Sequence, residues 1–247
     1  MPFIKQFLQE ESSCASYLLG CPSSSVGLIV DPMKDVSPYI EYSKNKGIEI
    51  GAVIETHIHA DHISGSRNVN NDTGARIYMF EDAGVNFSFE PLKDNQFLKF
   101  GNIGLKIIHT PGHTPESMSL LYYDMSRSAN IPNSLFTGDT LFVGDVGRPD
   151  LAGQDTTRDL YESITEKILP LPDYVELFPA HYSGSACGAN MSPKTSSTLG
   201  YERLNNELLL SKSYADFRKN ISFLGFNPIR EMEKIRSINM GEYEYGQ

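Results

Sequence analysis

The stretch Thr56-His57-Ile58-His59-Ala60-Asp61-His62-Ile63-Ser64 places three of the chain's six histidines and an aspartate within six residues. Core packing does not produce that density. His57 and His59, at i and i+2, project from the same side of an extended segment. Asp61 and His62 follow where the chain must turn, so four ligand-type side chains converge on one point. The apolar run Ala52-Val53-Ile54-Glu55 just before it reads as a buried strand that delivers the cluster to a sheet edge. A His-x-His-x-Asp-His pattern in that position points to metal binding.

Three later motifs repeat the arrangement. Thr110 to Ser117, TPGHTPES, is a loop stiffened by proline and glycine that presents His113 rigidly. His109, four residues earlier at a strand end, is expected to be a core or loop histidine. In LFTGDTLFVGDVGRPDL, Leu135 to Leu151, Asp139 stands just after the short apolar strand Ser134 to Thr137, with Gly138 letting the backbone turn. His181, followed by Tyr182, comes immediately past a strand over Tyr174 to Phe178. The histidines and both candidate aspartates thus gather at the ends of apolar strands. Cys187, in the loop SGSACG, is expected to border the same pocket, where a nearby cation would favour its thiolate. The alternative for Cys187 is a small buried hydrophobe.

With 247 residues the chain is long enough for one substantial core, and no linker or repeat divides it. One domain over 1–247 is expected, with 195–247 as a C-terminal helical appendage. The net charge of −10, without clustered Lys and Arg, argues against nucleic acid or an anionic membrane as partner. No apolar run reaches 18 residues and the N-terminus lacks an apolar h-region, so a cytoplasmic protein is expected. Three cysteines, Cys14, Cys21 and Cys187, fit reduced thiols better than a disulfide framework.

Strands are expected over 3–8, 14–19 and 26–30 as an antiparallel meander, then over 75–80, 97–100, 103–108 and 118–123. Helices are expected over 36–46, 63–71, 158–169, 196–210 and 214–223, followed by a charged tail from about Arg230. The segment 81–92 receives no assignment.

In their order and placement these motifs resemble the metallo-β-lactamase fold superfamily along nearly the whole chain. The resemblance implies an α/β fold, the αββα sandwich. Within that superfamily ETHIHADHISGSR, HTPGHTPES, FTGDTLFVGDVGRPDL and SGSACGANMSPKTSSTLGYE are most similar to persulfide dioxygenases of the rhodanese-associated bacterial type. In that family one Fe(II) per chain is held by residues that correspond to His57, His113 and Asp139. The substrates are a small thiol persulfide, such as glutathione persulfide, and O2; the products are sulfite and the parent thiol. The chain ends about 45 residues after Gly200-Tyr201-Glu202, too few for a rhodanese domain. A separate rhodanese-type sulfurtransferase and a homo-oligomeric assembly are the protein partners the resemblance admits.

The residues themselves leave a second reading open. Two imidazoles and a carboxylate leave coordination positions free, which suits Fe(II) with both O2 and substrate. Yet His59, Asp61, His62 and His181 would also complete a two-metal site, with two zinc ions or mixed zinc and iron, as in glyoxalase II-like thioester hydrolases. Arg148 in GRPD, and the lack of a basic cluster in the C-terminal helices, favour the dioxygenase. Tyr182, Cys187 and Arg148 are the candidate substrate or catalytic groups. The alternative role for Arg148 is an ion pair with Asp150 or Asp145.

Overall fold

The computed structural model describes residues 1–151, 155–222, 224, 226, 229 and 231–243. Its strands form two six-stranded mixed sheets. The first contains β1 (Phe3–Gln9), β2 (Cys14–Cys21), β3 (Val26–Val30), β4 (Glu49–Ile54), β5 (Arg76–Phe80) and β6 (Glu90–Leu92), paired in that order. β1 to β3 are the expected antiparallel meander, and from β3 onward the pairing turns parallel. The second sheet contains β7 (Phe97–Phe100), β8 (Ile103–His109), β9 (Met118–Asp124), β10 (Ser134–Gly138), β11 (Glu176–Pro179) and β12 (Ser197–Thr198), again neighbours in sequence order.

The parallel steps need crossovers, and helices supply them. α1 (Ser37–Lys46) joins β3 to β4, and α2 (Ser66–Thr73) follows the metal-type motif and leads to β5. α3 (Thr157–Glu162), prolonged by a π-helical turn over Ser163–Ile168, carries the chain from β10 towards β11. Tyr17, Leu28, Ile54 and Phe80 of the first sheet meet Ile103, Leu105, Leu120 and Phe136 of the second in the central core. On the outer face of the first sheet Leu18, Ile29 and Val53 pack with Tyr39 and Val69 of its helices. On the outer face of the second, Leu121, Leu135 and Leu177 pack with Leu160, Ile164, Phe217 and Ile221. The layers are therefore helix, sheet, sheet, helix. Strands such as β2, buried at all eight positions, face apolar layers on both sides, so they read as continuous apolar runs.

Three expectations change. The unassigned segment ends in β6, which adds to β5 in parallel; three residues with exposed Glu90 and Pro91 are too short to show periodicity. Of the helix expected over 196–210, only α4 (Leu199–Asn205) forms. Ser197 and Thr198 pair with β11 instead, and the Thr198 hydroxyl accepts a hydrogen bond from Tyr201 N as the helix cap. α5 (Tyr214–Ser222) is as expected, while Phe223 and Arg230 lie outside the described residues. The charged tail is not featureless, because Met232–Asn239 forms α6, whose Ile238 and Asn239 are buried. With Glu233, Lys234 and Arg236 among its eight residues and only Met232, Ile235 and Ile238 apolar, the segment reads as charged tail. Among the described residues no helix is long and apolar enough to cross a membrane.

Candidate metal centre

Four strand ends deliver the site. β4 stops at Ile54 and the chain runs through Glu55 to His62; β8 stops at His109 and leads into the TPGHTPES loop; β10 ends at Gly138, before Asp139; β11 ends at Pro179, two residues before His181. Two loops are joined directly. Met118 N donates to Thr56 O over 2.9 Å, and Ile58 N donates to the buried Glu116 carboxylate over 2.9 Å. Gly138 takes a left-handed backbone with φ 51°, which puts its α-carbon against Thr56 where a side chain would collide.

One ligand atom each from His57, His113 and Asp139 lies within 4.8 Å of the others, and all three residues are buried. His113 Nε2 is 3.3 Å and His57 Nε2 3.7 Å from Asp139 Oδ2. Hydrogen bonds fix the tautomers. Thr56 Oγ1 donates its one proton to Asp31 Oδ2 at 2.8 Å, so at 3.0 Å it accepts from His57 Nδ1–H. His113 Nδ1–H donates to the carbonyl of Arg148 at 3.0 Å. Both Nε2 atoms therefore turn a lone pair towards Asp139, the arrangement that surrounding hydrogen bonds impose on metal-binding histidines.

The electrostatics agree. Burial, then the neighbouring imidazole of His59, hold His57 well below the ordinary histidine value against the pull of Asp139. Burial likewise lowers His113. Burial opposes ionisation of Asp139, but the imidazoles of His181, His57 and His113 outweigh it and keep the carboxyl far below the usual range. Neutral imidazoles and an ionised carboxylate are the protonation states that a divalent cation requires. Buried polar atoms are normally hydrogen-bonded, yet His57 Nε2, His59 Nδ1, His62 Nε2 and Asp139 Oδ2 have no hydrogen-bond partner. A cation would satisfy such inward-facing groups, so the residues fit a metal. Thr56→Val, which deletes the hydroxyl linking Asp31 to His57, should weaken metal binding about 10- to 100-fold. Competition with a chromophoric chelator measures it, and an unchanged affinity would show the tautomer to be set otherwise.

The remaining candidates separate into other groups. His59 is not in the trio. Its Nε2 faces Glu55 Oε2 at 3.1 Å and Asp31 Oδ1 at 3.4 Å, and those three buried residues form their own cluster. Burial disfavours charge on His59, but its hydrogen bonds to the two carboxylates push it well above the ordinary value. Asp61, His62 and His181 gather with Cys14 in a third cluster, with His181 Nε2 2.7 Å from Asp61 Oδ2. His181 Nδ1 lies 2.6 Å from Asp139 Oδ1 and so links that cluster to the trio.

Cys14 was not among the sequence candidates. It opens β2, forms a bridge with His181, and its Sγ lies 3.7 Å from both Asp61 Oδ2 and His62 Nδ1. Burial opposes ionisation, but His181 and His62 overcome it and bring the thiol down to about 6. The sign of the linkage follows from a folded value below the ordinary 9.0: the stabilisation is complete above pH 9 and is lost as pH falls through about 6. In metal-free protein Cys14→Ser should therefore cost more at pH 8 than at pH 5, by on the order of 2 kcal/mol. Thermal denaturation at the two pH values checks this, and an equal cost at both would contradict it.

Cys187 behaves otherwise. Its sulfur reaches Asp139 and His181, and in the metal-free chain burial, then Asp61 and Asp139, push the thiol well above its ordinary value. It packs with Phe142 and Met191 as a small hydrophobe would. Tyr182 Oη donates to Gln9 O at 3.2 Å, at the exposed rim of β1. The Arg148 fork meets Asp150 through Nε at 2.6 Å and Nη2 at 2.8 Å, which is the ion-pair alternative, and its Nη1 donates to Ala186 O. Asp145 instead accepts backbone N–H groups of Val146, Ala189 and Asn190. His109 stacks on Phe80 with ring centroids 3.9 Å apart and lies outside all of these groups.

Comparison with known proteins accords with this geometry. The chain is 32% identical over 214 residues to a mitochondrial persulfide dioxygenase of Homo sapiens, covering 84% of this chain and 76% of that protein. It is 30% identical over 169 residues to a probable hydroxyacylglutathione hydrolase of Schizosaccharomyces pombe, covering 67% and 62%. The crystal structure of a metallo-beta-lactamase from Staphylococcus aureus superposes with a TM-score of 0.90 at 38% identity, over 97% of this chain and 72% of that one. Residues 11–181 match the metallo-beta-lactamase superfamily. With two facing mixed sheets between helices and a His/Asp cluster at their strand ends, the chain belongs to that superfamily.

Proposed function

We propose that the protein is a persulfide dioxygenase, converting a small thiol persulfide, O2 and water into the thiol, sulfite and two protons. The observation that carries this reading is the convergence of His57, His113 and Asp139 as a three-donor face, while His59 points its Nε2 at Glu55 and Asp31. Similarity to persulfide dioxygenases supports it. A ferrous ion on such a face would supply redox chemistry towards O2 with coordination positions to spare.

The chain's own residues do the rest. Thr56, with Asp31 behind it, and the Arg148 carbonyl hold the two imidazoles in the donor tautomer. Asp139 stays ionised between them. His62 lines a cleft of about 530 Å3 with Gln9, Met33, Lys34, Asp35, Ile63 and Asn68, which we assign as the approach for the substrate. Arg148 acts through Asp150 and Ala186, bracing the strand of backbone that grips His113.

A binuclear thioester hydrolase is the second reading. The unpartnered His59 Nδ1 and the adjoining Asp61, His62 and His181 favour it, as does similarity to the yeast hydrolase. An oxygen electrode separates the two. Oxygen uptake and sulfite formation with glutathione persulfide, beside negligible cleavage of S-lactoylglutathione, are expected; rapid thioester hydrolysis without oxygen uptake would establish the hydrolase.

A further inference from the structure

From α6 we infer that Asn239 is a positioning residue of the metal centre, holding the loop His59–Ser64 in the shape that carries His59, Asp61 and His62. The loop is 175 to 180 positions away in sequence, and one side chain grips it three times. Asn239 Nδ2 donates to His59 O and to His62 O, each at 2.9 Å, and Asn239 Oδ1 accepts from Ser64 N at 3.0 Å. Both amide protons and the amide oxygen are thereby used, on a residue 8% exposed. A tight turn of this kind points its carbonyls away from its own ladder, and buried carbonyls need donors from elsewhere. Asn239 supplies two of them.

The clamp reaches the imidazole as well as the backbone. Ser64, fixed by Asn239 through its N–H, donates its hydroxyl to Glu55, and Glu55 holds His59 Nε2 at 3.1 Å. The C-terminal end of the helix is itself fastened twice. Arg67 of α2 donates to Ile238 O at 2.5 Å, and Asn86 N donates to Met240 O at 2.7 Å. The end of α6 is therefore bonded also to two segments that follow the loop it clamps, α2 and the chain at Asn86, and the C-terminal region is part of the site's scaffold. The inference rests on reading His57, His113 and Asp139 as metal-holding groups: the clamped loop follows directly on His57, and its Asp61 is tied through His181, at 2.7 Å and 2.6 Å, to Asp139.

Asn239→Ala and Asn239→Asp test it with Zn(II) as probe and a competing chromophoric chelator. The aspartate keeps an acceptor for Ser64 N but cannot donate to the two carbonyls. Both variants, shown folded by circular dichroism at the assay temperature, should bind zinc about 10- to 100-fold more weakly, as loss of groups that orient ligands does. A residue that only stabilises the fold would lower the melting temperature and leave the affinity of folded protein unchanged, and that result overturns the inference. Should neither variant fold, amide exchange of the unaltered chain decides. The Ser64 amide should be protected and open together with α6. Free exchange at Ser64 while α6 stays protected would refute the clamp. Failure of the unaltered protein to bind zinc or ferrous ion would instead remove the metal reading, which the exchange result does not touch.

Discussion

Asp139→Ala is expected to leave a folded protein that retains no metal and has lost at least about 1000-fold in kcat/KM, roughly 4 kcal/mol of transition-state stabilisation. Asp139 is the hub of the centre. His57 and His113 face its Oδ2, and His181 lies 2.6 Å from its Oδ1, so its removal unbinds three imidazoles at once. Folding should survive, because the site is a cluster of polar groups at strand ends while the apolar layers lie elsewhere. In metal-free protein, removing the carboxylate also deletes the charge that favours the His181 imidazolium. Metal analysis beside steady-state kinetics reads both consequences. Full metal occupancy in the variant would displace Asp139 from the ligand set. The loss is expected under either the dioxygenase or the hydrolase, so this variant tests the centre rather than the reaction.

Gly147→Ala should be nearly as damaging without touching any ligand. A methyl at Gly147 would collide with the carbonyl of Asp139 and lie 3.2 Å from His113 Nδ1. The Gly147 backbone has an ordinary φ, so the requirement is for space and not for a left-handed conformation. Overpacking of this kind costs about 1–3 kcal/mol or more in stability. Here the strain falls on the two residues whose spacing defines the site, so metal affinity should drop further than the melting temperature alone implies. Zinc titration of the folded variant measures it; binding as tight as in the unaltered protein would mean that the GRPD segment moves aside without disturbing Asp139.

GRPD also illustrates what local sequence could and could not convey. The motif was legible as functional, and its arginine was a candidate substrate or catalytic group. In the structure three of its four residues serve His113 or its support: Gly147 by its small size, Arg148 by its carbonyl, and Asp150 by pairing the Arg148 fork. One of those tasks falls to a backbone atom and one to the absence of a side chain, and a sequence motif does not say which atom of a residue acts. Asp31 was missed although the signal existed, since it stands immediately after the apolar β3, as Asp139 does after β10. It reaches His57 only through Thr56, a relay that spacing does not reveal.

The strands and their metal-type ends were legible because apolar runs and turn residues are local properties. Cys14 and Asn239 were not, for the opposite reason. Cys14 sits beside His181 through a bridge between the two sheets, and Asn239 meets the loop from 177 residues further along the chain. Nothing near either residue in the sequence distinguishes it from a buried thiol or a polar helix end.

The metal content of protein purified without oxygen bears most directly on whether this centre is a mononuclear iron site. About one iron per chain, with little zinc and with loss of iron in Asp139→Ala, is the expected result. Two zinc ions per chain, and activity undiminished when iron is withheld, would contradict it.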